Sequence, residues 1–160
     1  MSVQIERRYR IQVPIDVENV IKALVSKIPP EHLIGLGNII VLDEVTHKRN
    51  QRSGGLYWQK NGEQPARIEI GINSTYGRMP RIVFYCPFVA KFMLANVLYH
   101  EIGHHYQHFT HGISKNRQEN FADKYRRQML KKAFFWWGLF FKPLSPLIHL
   151  LNRISNKGKN

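Results

Sequence analysis

A chain of 160 residues fits one domain large enough to bury a core without a covalent staple, and its single cysteine, Cys86, excludes an internal disulfide framework. Lysine and arginine number 24 against 11 acids, and the net charge of +13 favours anionic partners: nucleic acid, an acidic membrane face or acidic substrate segments. The basic residues recur in three separate groups (Arg7 to Arg10, Lys48 to Arg52, Lys115 to Lys132), which suits a diffuse field better than a base-reading element.

The N-terminus, MSVQIERRYR, has no apolar stretch behind its charges. It is not a secretory signal, and the cytoplasm is the predicted compartment. Val3, Ile5, Tyr9, Ile11 and Val13 sit at odd positions, the period of a half-buried strand that Pro14 ends. Asp16 is placed to cap a helix whose apolar positions run from Val17 to Ile28, and Pro29 and Pro30 stop it. EHLIGLGN predicts a short helical turn and a bend. Strand-like runs follow: NIIVLDEVTH (38–47), GLYWQK (55–60), ARIEIGI (66–72) and RIVFYC (81–86), with Asn61-Gly62 as a hairpin signal between the second and third. In such an apolar run Cys86 is expected to be a small buried hydrophobe. A helical period returns from Phe88 to about Phe109, with Phe88, Phe92, Ala95, Tyr99 and Ile102 as its stripe. A further helix is expected to start near Ser114 or Asn116, where Asn116 and Glu119 have capping-box spacing, and to run to Pro143 along Ala122, Tyr125, Met129, Ala133, Trp136 and Phe140.

The chemistry is carried by His100-Glu101-Ile102-Gly103-His104, an HExxH sequence. Histidines at i and i+4 lie one above the other on a helix, so both imidazoles can reach one zinc ion. Glu101 projects beside them and can take a proton from a zinc-bound water, whose pKa the metal lowers to about 7. Gly103 is small where a neighbouring element must come close. A catalytic zinc needs a third protein ligand, and His105, His108, His111 and Glu119 are available. His105 points about 100° from His104, and His108 lies about 12 Å along the axis from His100. His111 could return only if the helix broke. The longer metzincin pattern is absent, since Gln107 and Thr110 occupy its glycine and histidine positions. A turn at Gly112 would fold the next helix back and let Glu119 complete the site. Asp123, one turn on, could then orient a ligand histidine.

HEIGH followed by Glu119-Asn120-Phe121-Ala122-Asp123, an ExxAD sequence, resembles the gluzincin branch of the zincin metallopeptidases. It is similar to the HtpX-type membrane peptidases and to the ImmA/IrrE-like and minigluzincin peptidases, and HEIGHHYQH, with His108 last, resembles the HEIGHxxxH of the ImmA/IrrE group. The resemblance covers about 24 residues strongly. It implies Zn2+ bound by His100, His104 and Glu119, Glu101 as catalytic base, and peptide bonds as substrate. It also implies that substrate lies along an edge strand, ARIEIGI or RIVFYC, with family order favouring the first. Such enzymes add an oxyanion-stabilising residue, for which Tyr106, Tyr125, Arg126 and His105 are available.

Residues 133–151, AFFWWGLFFKPLSPLIHLL, are the most apolar in the chain, but Lys142, Pro143, Pro146 and His149 interrupt them, which argues against a membrane span. Basic flanks and Trp136 and Trp137 suit a segment lying on an anionic membrane; packing on the core or on a protein partner are the other two readings.

The sequence therefore predicts an α/β (α+β) zincin-like domain over residues 1–132. A twisted mixed sheet of four or five strands packs on the active-site helix, and an aromatic, basic segment follows over 133–160. The expected function is a zinc-dependent endopeptidase, cytoplasmic and peripheral at the inner face of a membrane. The alternative is a non-catalytic basic protein of the same fold that binds nucleic acid or a protein partner.

Overall fold

The computed structural model describes residues 3–47, 53–77, 85–110 and 115–135. Four strands form one mixed sheet: β1 (Gln4–Arg8), β2 (Leu36–Leu42), β3 (Gly55–Trp58) and β4 (Ala66–Gly71), in the order β1-β2-β4-β3. β1, β2 and β4 run parallel and β3 is antiparallel to β4, so among the described residues β1 and β3 are the edges. The helices are α1 (Val17–Val25), α2 (Ile72–Tyr76), α3 (Pro87–Thr110) and α4 (Lys115–Ala133), with a 3-10 turn at Pro30–Leu33. This is a mixed α/β chain with a four-stranded sheet, as the sequence pattern predicts at that level.

β1 is shorter than its period-two pattern because β2 ends at Leu42 and the carboxylate of Asp43 then accepts the N–H groups of Arg10 and Ile11. Ile11 and Val13 still pack against the core from the loop. Asp16 caps α1 as expected, accepting from the backbone N–H of Asn19 at 3.0 Å. The Asn61-Gly62 signal closes the β3–β4 hairpin, with Asn61 and Gln64 exchanging both main-chain hydrogen bonds.

The core lies between one face of the sheet and the helices. Ile39, Val41, Ile68 and Ile70 meet Leu24 of α1 and Leu94, Leu98 and Ile102 of α3, all buried. α3 is enclosed on several sides, since Ala90, Leu94, Leu98 and Ile102 are buried together with Ala95 and Tyr99. The predicted stripe is thus correct in its second half, but Phe92 is 37% exposed and Leu94 and Leu98 take its place.

Two further expectations fail, the burial of Cys86 and the Asn116 cap. Cys86 is exposed, one residue before α3, and is no buried hydrophobe. Tyr85 and Cys86 belong to no strand, while residues 81–84 of the expected RIVFYC strand lie outside the described residues. α4 spans Lys115–Ala133, so Asn116 lies inside it and is not its N-cap; Ser114 lies outside the described residues, as does the part of the expected helix past Phe135 with Trp136 and Phe140. No helix among the described residues is long and apolar enough to cross a membrane.

Candidate metal centre

α3 and α4 run antiparallel, and their crossing is set by two small residues. A Cβ built on Gly103 would lie 2.8 Å from Cα and 3.1 Å from the carbonyl oxygen of Ala122. No side chain fits there, so the helices touch backbone to backbone at the glycine of HEIGH and the alanine of ExxAD. Glu119 precedes Ala122 by three residues and Asp123 follows it, so both carboxylates come up against the motif histidines.

The resulting distances form a small triangle. His100 Nε2 lies 3.1 Å from His104 Nε2, and Glu119 Oε2 and Oε1 lie 3.5 Å and 3.7 Å from the two nitrogens. Three ligands at tetrahedral angles and zinc–nitrogen lengths of about 2.05 Å would stand about 3.3 Å apart. The donor set, two imidazoles and a carboxylate, is that of a zinc site with an open position. His100, His104 and Glu119 thus fit a metal ion, with all three donors inside 4.8 Å of one another. Burial, and then the neighbouring His100, lower the pKa of His104, which keeps its imidazole in the neutral form that binds metal. Asp123 Oδ1 sits 3.2 Å from His100 Nδ1, at ion-pair range though short of hydrogen-bond alignment, and Arg126 holds the same oxygen at 3.2 Å. This is the position expected of the residue that orients the ring.

Glu101 lies on the sheet side of the triangle. It is 6% exposed, and burial, reinforced by the charge of Glu119, raises its pKa to about 8, against a backbone N–H of Tyr57 that donates to the carboxylate. Gly55 makes the space: a Cβ there would meet Cγ and Oε1 of Glu101 at 2.6 and 2.7 Å. In the β3–β4 ladder, Gly71 N–H donates to Gly54 C=O, so by antiparallel alternation the main-chain groups of Gly55 and Tyr57 face the open edge.

A cleft of about 300 Å3 joins that edge to the triangle. Besides the motif residues and Glu119, its walls include Ser53, Gly55, Tyr57, Gln59, His108 and Gln118. The edge strand at the site is therefore β3. ARIEIGI, favoured from family order, is the interior strand β4 and offers no free edge. None of Tyr106, Tyr125, Arg126 and His105 lines the cleft. Tyr106 stacks on His32 with ring centres 3.9 Å apart, and Tyr125 holds His32 Nδ1 through its hydroxyl at 3.0 Å. Buried His105 places Nε2 3.0 Å from the carbonyl oxygen of Ile34 and Nδ1 3.3 Å from the hydroxyl of Tyr57. Its burial lowers its pKa, so the neutral ring donates through Nε2 and accepts at Nδ1. Gly55, Tyr57 and Gln118 carried no signal in their spacing.

His108 reaches the cleft rim but not the triangle, and His111 lies outside the described residues. Comparison with known proteins gives no matching family model, no matching curated protein and no matching solved structure.

Proposed function

We propose that the chain is a zinc-dependent endopeptidase of zincin-like fold, with His100, His104 and Glu119 as ligands, Glu101 as general base and Asp123 orienting His100. The observation that carries this reading is the triangle of two imidazole nitrogens and one carboxylate, 3.1 to 3.7 Å on a side, with a buried carboxyl next to it in the same cleft. Zinc held there supplies Lewis acidity and makes water acidic enough to act as a nucleophile at neutral pH.

The chain's own residues supply the rest. Glu101 accepts the water's proton on a carboxylate oriented by the Tyr57 N–H, and can return it to the leaving amine. Burial raises its pKa in the metal-free chain, and a bound cation would favour the carboxylate, the form that takes the proton. The outward Gly55 N–H and Tyr57 C=O offer an extended peptide a ladder partner beside the metal site, while the Tyr57 N–H serves Glu101 and the Gly55 C=O accepts from the Ser53 hydroxyl. His108 and Gln118, on the cleft wall, are the side chains placed to donate to a developing oxyanion.

The test is metal content together with Glu101-dependent cleavage. One zinc per chain is expected in wild type and in Glu101→Gln, with peptidase activity lost only in the variant, by at least about a hundredfold. A Glu101→Gln protein as active as wild type overturns the mechanism, and a wild-type protein that binds no zinc overturns the whole reading.

A further inference from the structure

Four large hydrophobic side chains are strongly exposed among the described residues: Ile34, Tyr85, Phe92 and Phe135, at 58, 68, 37 and 61%. Three of the four gather where α3 begins and α4 ends. There Phe88, Phe92 and Phe134 form a ring cluster with centres 5.6 to 6.4 Å apart, and Tyr85 and Phe135 extend it in sequence. Beside the cluster runs a groove of about 490 Å3 between α1 and the two helix ends. Its charged walls are Lys91 and Lys27, the latter donating to the Ala133 C=O at 2.9 Å, against one acid, Asp16, which is engaged in capping α1. Lys131 and Lys132 are exposed on the last turn of α4.

We propose that this end of the folded body is a docking surface for an anionic lipid bilayer. Exposed aromatic rings rimmed by lysines match the two layers of such a surface, since the rings sit at the headgroup level and the ammonium groups face the lipid phosphates. In sequence, Phe135 is followed by residues 136–160, where Trp136, Trp137, Phe140 and Phe141 continue the composition and Arg153, Lys157 and Lys159 continue the charge. Surface and segment are thus contiguous in sequence, and the body makes a lipid contact of its own. The inference does not rest on the zinc reading, because His100 lies two turns beyond Phe92, about 12 Å along α3.

Full-length protein is floated with vesicles of phosphatidylcholine alone and of phosphatidylcholine mixed with phosphatidylglycerol, at low and high salt. Binding is expected on the mixed vesicles, weaker but present at high salt, because the aromatic contribution is unscreened. Lys91→Glu should weaken partitioning about fivefold, and Phe135→Ser about tenfold. Both variants should keep the wild-type unfolding temperature and zinc content. Phe92→Ser supplies a second aromatic probe if Phe135→Ser folds poorly. A full-length chain that ignores both vesicles overturns the proposal. So do variants that float as well as wild type, which would assign any lipid contact to residues 136–160 alone. Light scattering is the last arm: if the chain is a dimer that Phe135→Ser dissociates and lipid is not bound, a second copy covers the surface and the proposal falls.

Discussion

The two ends of α3 are built on different physical terms. From Tyr99 to Gln107 the helix is committed side chain by side chain. The Tyr99 hydroxyl donates to Leu24 C=O, Glu101 lies under Tyr57, Gly103 touches Ala122, and His105 spans from β3 to the loop after the 3-10 turn. From Pro87 to Phe92 the same helix offers rings to other rings, Phe88 and Phe92 packing on each other and on Phe134. Buried polar groups must find partners, and few arrangements satisfy them all. Aromatic surface is satisfied by many arrangements and by more than one kind of neighbour. A motif of fixed spacing can therefore specify geometry at one end, whereas composition at the other specifies only that something apolar is wanted.

The sharpest break between the ends is metal affinity. Glu119→Ala and His104→Ala should each weaken zinc binding by more than about a hundredfold in a competition titration, and Asp123→Ala by about ten- to a hundredfold. Phe92→Ala and His108→Ala should leave it unchanged. Loss of zinc in His108→Ala would show that the triangle is not the ligand set.

Next in size is the pH dependence of the metal-free protein. Burial holds Glu101 at about 8 in the fold against 4.5 as its ordinary value. The folded chain then binds more protons than the unfolded one between those two values. Its contribution is fully present below about pH 4.5 and lost as pH rises through 8, on the order of 5 kcal/mol in all. Glu101→Gln should flatten this part of the stability curve and raise stability at pH 8. Saturating zinc should shrink the slope as well, because a cation at the triangle favours the ionised carboxyl. A wild-type curve equally flat without metal would mean that the carboxyl is solvated.

Gly103→Ala tests the helix crossing. With Ala122 Cα only 2.8 Å from the new methyl, the helices must separate, at a cost of about 2 kcal/mol in chemical denaturation, and Glu119 should move with α4 and weaken zinc binding. Phe92→Ala, at the exposed end, should cost under about 1 kcal/mol.

The same division explains what could be read from the sequence. The Asp16 cap and the Asn61-Gly62 turn are local spacings that the structure places where they were expected, and HEIGH and ExxAD are fixed spacings that it brings together, with His100, His104 and Glu119 in one group that could hold a metal ion. Strand identity was not local. ARIEIGI alternates as a half-exposed strand should, yet Glu69 is 1% exposed, held by Thr46 N–H and hydroxyl at 2.8 to 3.0 Å, with Arg67 alongside at 3.4 Å. A covered charge looks the same in sequence as a solvated one, so nothing separated the interior β4 from the edge β3. α2 was missed because five residues, INSTY, show no helical period. It is held instead by tertiary bonds from the Asn73 N–H to Asp43 C=O and the Tyr76 hydroxyl to Ala90 C=O.

The smallest expected effect probes the link between the committed end of α3 and the edge strand. Tyr57→Phe removes one hydroxyl, 3.3 Å from His105 Nδ1, and changes nothing else in shape. Burial pushes the Tyr57 phenol up to about 12, so it remains a neutral donor throughout the working pH range, and the change should be independent of pH. Loss of this one neutral hydrogen bond should cost about 1 kcal/mol. The backbone N–H of Tyr57 still reaches Glu101 in the variant, so cleavage should fall only a few-fold, through kcat rather than KM, as β3 loosens against the helix. If stability and kcat are both unchanged, β3 is held on α3 by Gly55 packing alone and the His105 bridge is incidental. A loss as large as that of Glu101→Gln would instead place the phenol itself in the chemistry.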